Sequence, residues 1–139
     1  MGDNIIRREI KIEAQCDKLN TLQDILREDL EKMGCPMDRQ MTLEICVEEV
    51  FVNIASYAYG EETGEAFILE EIRPNDIMLC FKDRGIPYNP LEKEDPDTTL
   101  SVEERKIGGL GVYMVKTMMD SVSYEYRDNC NCLTMTMSW

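Results

Sequence analysis

Two pairs of alternating segments are joined by links too short to let the chain reverse any other way than as a hairpin. Glu65 to Ile72 and Ile77 to Lys82 read as strands flanking Arg73-Pro74-Asn75-Asp76, where proline presets the turn and Asn/Asp cap it through local hydrogen bonds. Val122, Tyr124 and Tyr126 alternate before Asp128-Asn129, and Leu133, Met135, Met137 and Trp139 alternate after it. A parallel pair needs a crossover of about a dozen residues or more, so both pairs must be antiparallel.

The remaining segments fit around these hairpins. Ile6 to Ala14 alternates, with Ile6, Ile10, Ile12 and Ala14 on one side and Arg7, Glu9, Lys11 and Glu13 on the other, as a half-buried strand requires. Leu19, Leu22, Ile25, Leu26, Leu30 and Met33 recur at helical spacing and Gly34 follows as a helix end. After Pro36, apolar residues from Met41 to Ala55 surround the helix axis on nearly every side, which predicts a largely buried second helix. Leu110, Val112, Tyr113, Val115, Met118 and Met119 form a third. The expected fold is α+β, a two-layer sandwich with a mostly antiparallel mixed sheet of about five strands and three helices on one face. A single domain spanning 1–139 is expected at this length.

Between Leu91 and Ile107 the periodicity stops. Nine of those seventeen residues are charged, and Pro90 and Gly108-Gly109 bracket the segment. An ordered connection that long is uncommon, so a lid at about 91–107 is expected.

Composition removes several mechanisms. With no histidine, Ser-His-Asp and Cys-His chemistry, imidazole metal ligands and an autophosphorylated histidine on this chain are excluded. A general base must then be a carboxylate, lysine, tyrosine or cysteine. The formal charge of −13 repels a phosphate backbone, so no direct nucleic-acid binding is expected, while steering toward a basic protein partner stays open. No apolar run approaches the ~20 residues of a membrane helix. The six scattered cysteines and the absence of a cationic-then-apolar leader point to reduced thiols and a cytoplasmic location. Cys130-x-Cys132 reads as two same-side strand thiols rather than half of a metal site.

Three short motifs can carry chemistry. Glu49 and Asn53 are four residues apart in the apolar second helix, stacking both side chains on one face. Either that face opens to solvent or the groups are retained for function, because an unpaired buried amide costs ~1–3 kcal/mol. Glu48 is the solvated member of its pair. Asp83-x-Gly85 leaves a strand; the carboxylate can accept from an exocyclic amine and the glycine lets a flat ring approach, although alone the pair is only a turn. Gly108-Gly109-x-Gly111 offers backbone N–H groups at a helix start, where phosphate binds, or a hinge.

In this order, Glu49-x-x-x-Asn53, Asp83-x-Gly85-x-Pro87 and Gly108-Gly109-x-Gly111 resemble the GHKL ATP-binding superfamily of gyrase, histidine kinases and heat-shock ATPases. The phrases Glu-Glu-Val-Phe-Val-Asn-Ile-Ala, Asp-Arg-Gly-Ile-Pro-Tyr-Asn-Pro and Gly-Gly-Leu-Gly-Val-Tyr-Met-Val-Lys look like the RsbW and SpoIIAB group of anti-sigma factors. The resemblance covers nearly the whole chain.

That resemblance implies a Bergerat-type fold and the cofactors ATP and Mg²⁺. Asn53 would coordinate Mg²⁺, Glu49 would be the general base, and Asp83 would bind the adenine amine with Gly85 making room. Gly108, Gly109 and Gly111 would hold the phosphates beneath the lid. The implied activity is that of a serine-protein kinase and anti-sigma factor, a homodimer that sequesters a sigma factor and phosphorylates a serine of a STAS-domain anti-anti-sigma factor. Tyr57 stands where members often have histidine, and Ile107 where many have arginine, with Arg105 and Lys106 just before it. Thr134 is the candidate for a threonine that the family tends to place near the adenine. The lid departure leaves open a nucleotide-gated switch without kinase activity, and a detached histidine-kinase catalytic domain is a third reading.

Overall fold

The computed structural model describes residues 4–60, 62–92 and 109–139. Most of the expected lid, together with Arg105, Lys106, Ile107 and Gly108, lies outside the described residues. In chain order the elements are β1 (Ile6–Glu13), α1 (Leu19–Lys32), α2 (Met37–Asn53), β2 (Glu65–Arg73), β3 (Asp76–Asp83), α3 (Gly109–Met118), β4 (Ser121–Arg127) and β5 (Cys130–Ser138). The strands form one sheet in the order β1-β2-β3-β5-β4. The expectation of a mostly antiparallel sheet left room for a parallel pair, and all four pairings are antiparallel.

Both hairpins form where the short links require them. Arg73 pairs with Asp76 across the first turn. In the second, Asp128 and Asn129 have φ of 55° and 62°, the left-handed pair of a type I′ turn whose twist matches the flanking strands. The other two antiparallel pairings need more than a turn: β1 reaches β2 only after α1 and α2, and β3 reaches β5 only after α3 and β4. All three helices contribute to the core on one sheet face. Leu22, Leu26 and Leu30 of α1, Val47 and Phe51 of α2 and Val115 of α3 pack with Ile68, Leu79, Phe81 and Met135 of the strands. Residues out of phase, such as Arg7, Glu9 and Leu69, are exposed.

Gly34 ends α1 as its position predicts. It has φ +74°, Gly34 N–H donates to Glu31 O at 3.1 Å, and Cys35 N–H donates to Leu30 O at 3.0 Å, which together satisfy two carbonyls that the helix leaves open. The second helix departs from expectation. It is not buried on all sides: Met41 is 58% and Ile45 39% exposed, in line with exposed Met37, so four-residue steps leave one apolar stripe in solvent while Leu43, Cys46, Val47, Val50 and Phe51 face the core. Nor does it simply end, because Ile54–Ala58 continues as a π-helical turn, a widening that occurs mostly at functional sites.

A charged cluster ties α1 to the sheet edge. Arg8 Nε and Nη2 donate to the two carboxylate oxygens of Asp29 at 2.8 and 2.9 Å, and Glu70 Oε2 lies 3.6 Å from Arg8 Nε. Asp29 and Glu70 are both buried. Among the described residues, no helix is long and apolar enough to cross a membrane.

Candidate functional site

The second half of α2 and the π-helical turn form one wall of a cavity of about 500 Å³, through Glu49, Val50, Asn53, Ile54, Tyr57 and Ala58. Steps of one, three and four keep these side chains on one helix face. Opposite stand Phe81 and Asp83 of β3, the 86–91 segment, Val115 of α3, Tyr124 of β4, and Asn131 and Leu133 of β5. Apolar walls with few polar groups, at this volume, suit a small organic ligand.

The floor of the cavity is a carboxylate held by neutral donors. Asp83 is 5% exposed. Its Oδ1 accepts from Gly85 N–H at 3.0 Å and from Asn131 Nδ2 at 2.9 Å. Burial raises the Asp83 carboxyl above its ordinary range, and the Asn131 and Gly85 bonds oppose that rise. The Gly85 bond is the Asx turn that the residue pair alone predicts. The structure adds a reason for the glycine: a Cβ there would come within 2.1 Å of Ala58 O, and the adjacent Ile86 N–H donates to that same carbonyl at 2.9 Å. The turn is thus packed backbone to backbone against the π-helical turn that follows α2.

Glu49 and Asn53 line the cavity together, each half-buried, while Glu48 is exposed as expected. Burial raises the Glu49 carboxyl, and the neighbouring Glu48 charge raises it further, moving it toward the range where a carboxylate works as a general base near neutrality. Gly109 and Gly111 fall in the first turn of α3; Gly108 lies outside the described residues. Tyr57 lines the cavity mouth and is 52% exposed.

Thr134 is a correction. It pairs with Cys80 and Ser123, and its neighbours Leu133 and Met135 are in the core, so alternation turns Thr134 to the opposite sheet face, away from Asp83. The residue beside Asp83 is Asn131, its partner in the β3–β5 register. Asn131, Tyr124 and Tyr88 were not anticipated. The inward phase Leu133, Met135, Met137 extended two residues backward reaches Asn131, and that phase was the available signal. Cys130 and Cys132, out of that phase, are free thiols.

No group of three or more His, Cys, Asp or Glu side chains converges among the described residues. The amide oxygen of Asn53 at the cavity suits Mg²⁺, a hard cation that takes most of its shell from water and phosphate oxygens.

Helices layered on one face of an antiparallel sheet, with a cavity between the end of a helix and a buried strand-end carboxylate, define a small-molecule-binding α+β sandwich. The chain belongs to the histidine kinase-like ATPase domain family, whose model matches residues 12–137. It is 30% identical over 99 residues to the serine/threonine-protein kinase BtrW of Bordetella bronchiseptica, covering 70% of this chain and 69% of that one. It is 26% identical over 137 residues to the serine-protein kinase RsbW of Bacillus thuringiensis, covering 96% and 86%. The solved RsbU and RsbW domains of Rv1364c from Mycobacterium tuberculosis share the fold, with a TM-score of 0.68 at 14% identity over 96% of this chain. This chain spans 32% of that longer one.

Proposed function

We propose that this chain is an ATP-dependent serine-protein kinase that also acts as an anti-sigma factor, holding a sigma factor and phosphorylating a serine of a STAS-domain anti-anti-sigma factor. The observation that carries the reading is the meeting of Glu49, Asn53 and Asp83 on one apolar cavity, in a chain whose relatives BtrW and RsbW are named as protein kinases. The adenine sits between the apolar walls with its amine donating to Asp83. Asn53 would offer its amide oxygen to Mg²⁺, and Gly108, Gly109 and Gly111 would receive the phosphates, with the segment at about 91–107 as the lid. Bound Mg²⁺ neutralises phosphate charge, which matters in a chain of net charge −13.

Glu49 accepts the proton of the partner's serine hydroxyl as that oxygen bonds to the γ-phosphorus and the bond to the bridging oxygen breaks, leaving ADP. Positioning and electrostatics supply most of the acceleration of such a transfer. The protein works as a homodimer of single-domain chains in the cytoplasm. To test the kinase reading, the protein, ATP, Mg²⁺ and the cognate STAS protein are mixed and phosphoserine on the STAS protein is measured. Phosphoserine forms, and Glu49→Ala lowers its rate by roughly 10²–10⁴, the usual contribution of a general base. Glu49→Ala behaving like wild type defeats the assignment. Chelating the metal weakens ATP binding by roughly tenfold or more, since the field of the chain opposes an anion; equal affinity with and without Mg²⁺ contradicts the role given to the metal.

A further inference from the structure

Asn131 is 7% exposed, and the protein itself uses every hydrogen-bonding position of its amide. Nδ2 donates to Asp83 Oδ1 at 2.9 Å and to Ile86 O at 3.0 Å. Oδ1 accepts from Tyr88 N–H at 3.0 Å and from the Tyr124 hydroxyl. A side-chain amide has two donor hydrogens and two acceptor lone pairs, so nothing is left over. Although Asn131 lines the cavity, it has no capacity to bond a ligand. Whatever it does to a ligand runs through the groups it holds.

It holds two things. The first is Asp83 Oδ1, already shared with Gly85 N–H, which leaves Oδ2 as the oxygen that accepts nothing from the described residues. The second is the main chain on both sides of Pro87, through Ile86 O and Tyr88 N–H. That segment is also anchored by Ile86 N–H on Ala58 O. One side chain thus bonds the carboxylate and the wall at once.

We propose that Asn131 is the positioning residue that sets the base specificity of this cavity, saturating one oxygen of Asp83 and pinning the 86–88 wall so that a single acceptor meets the exocyclic amine of a purine. The inference rests on the nucleotide reading above. Other residues at position 131 do part of this only. Threonine has one hydroxyl and cannot join Asp83, Ile86 O and Tyr88 N–H at once, and aspartate sets a second carboxylate against the first. Tyr124 acts on the same device from β4, by orienting the amide.

The test compares dissociation constants for ATP and for purine riboside triphosphate, which lacks the exocyclic amine, each with Mg²⁺, in wild type, Asn131→Ala, Asn131→Thr and Tyr124→Phe. Wild type prefers ATP by roughly 10- to 100-fold, the range for a hydrogen bond to a charged acceptor. In Asn131→Ala and Asn131→Thr the preference drops to a few-fold, and in Tyr124→Phe it is intermediate. General loosening of the fold weakens both nucleotides alike and leaves the ratio unchanged, so a wild-type ratio in the folded variants overturns the proposal. If Asn131→Ala fails to fold, Asn131→Thr and Tyr124→Phe decide on the same criterion. The pH dependence is a second readout: Asn131 helps hold the Asp83 carboxyl down, so its loss moves the acid-side decline of ATP preference to higher pH. No preference for ATP in wild type defeats the nucleotide reading and this proposal together. A wild-type preference that survives every variant defeats this proposal alone.

Discussion

Two places on the helix-covered face of the sheet take carboxylates out of water, and they solve the problem differently. At the β1 edge, Asp29 receives both arms of Arg8 at 2.8 and 2.9 Å, and Glu70 stands beside them with neither oxygen accepting a hydrogen bond. Burial and the neighbouring Asp29 push the Glu70 carboxyl up to about 8, so it is held as the neutral acid around pH 7 next to an ionised Asp29 that Arg8 keeps below its ordinary range. At the cavity, Asp83 is buried with neutral donors only, on one of its two oxygens. The first cluster is closed by a cation on Asp29 and lines no part of the cavity. Among the described residues, the second leaves one oxygen of Asp83 without a donor and the carboxylate without a cation, an arrangement that costs stability and is retained where a ligand supplies the missing donor.

Breaking each cluster should therefore have opposite effects. Asp83→Asn should weaken ATP binding by about 1.5–3 kcal/mol, on the order of 10- to 100-fold, because an amide can present a donor where the adenine amine needs an acceptor. The same variant should have a raised Tm at neutral pH, since burial disfavours the ionised Asp83 in the folded chain. Calorimetric titration together with thermal unfolding measures both, and a large drop in Tm with intact ATP binding would reverse the roles assigned to the two clusters.

Arg8→Ala should leave ATP binding unchanged and lower stability. Removing one partner of a fully buried ion pair costs about 3–5 kcal/mol; the Arg8 side chain is 45% exposed, which reduces the loss to roughly 2 kcal/mol, or about 6–8 °C in Tm for a domain of this size. A variant with wild-type Tm would show that Asp29 does not depend on the guanidinium.

A pH series distinguishes the members of the first cluster. The Glu70 carboxyl is pushed up to about 8 in the folded chain from an ordinary value of 4.5. The folded state thus binds this proton more tightly, so its stabilising contribution is full below about pH 4.5 and is lost as pH rises to about 8. Glu70→Gln lacks that loss. The Tm of the variant relative to wild type should climb between those pH values and level off above them; a pH-independent difference would rule out a neutral Glu70.

Much of the candidate site was legible in advance because it lies within single elements. Glu49 and Asn53 share a face through helical spacing alone, and the Asp83–Gly85 turn is a bond two residues long. Asn131 escaped because its partner Asp83 is 48 residues away, and Thr134, a more familiar polar residue on the same strand, is one residue out of phase with the core. The exposed stripe at Met41 and Ile45 escaped for a related reason: apolarity around a helix says that surface is available to bury, and only the packing of α2 says which part the sheet covers. The π-helical turn at Ile54–Ala58 left no mark in the spacing.

By itself the sequence determined the strands, the main helices and the antiparallel direction of the two hairpins, since side-chain period and link length are local and a four-residue turn admits no alternative geometry. Tertiary structure decided the β1–β2 and β3–β5 pairings, and with them the meeting of Asp83 with Asn131 and of Arg8 with Asp29 and Glu70. Those contacts close long loops, whose entropy is offset only when the whole helix layer packs down on the sheet, so no stretch of chain encodes them alone.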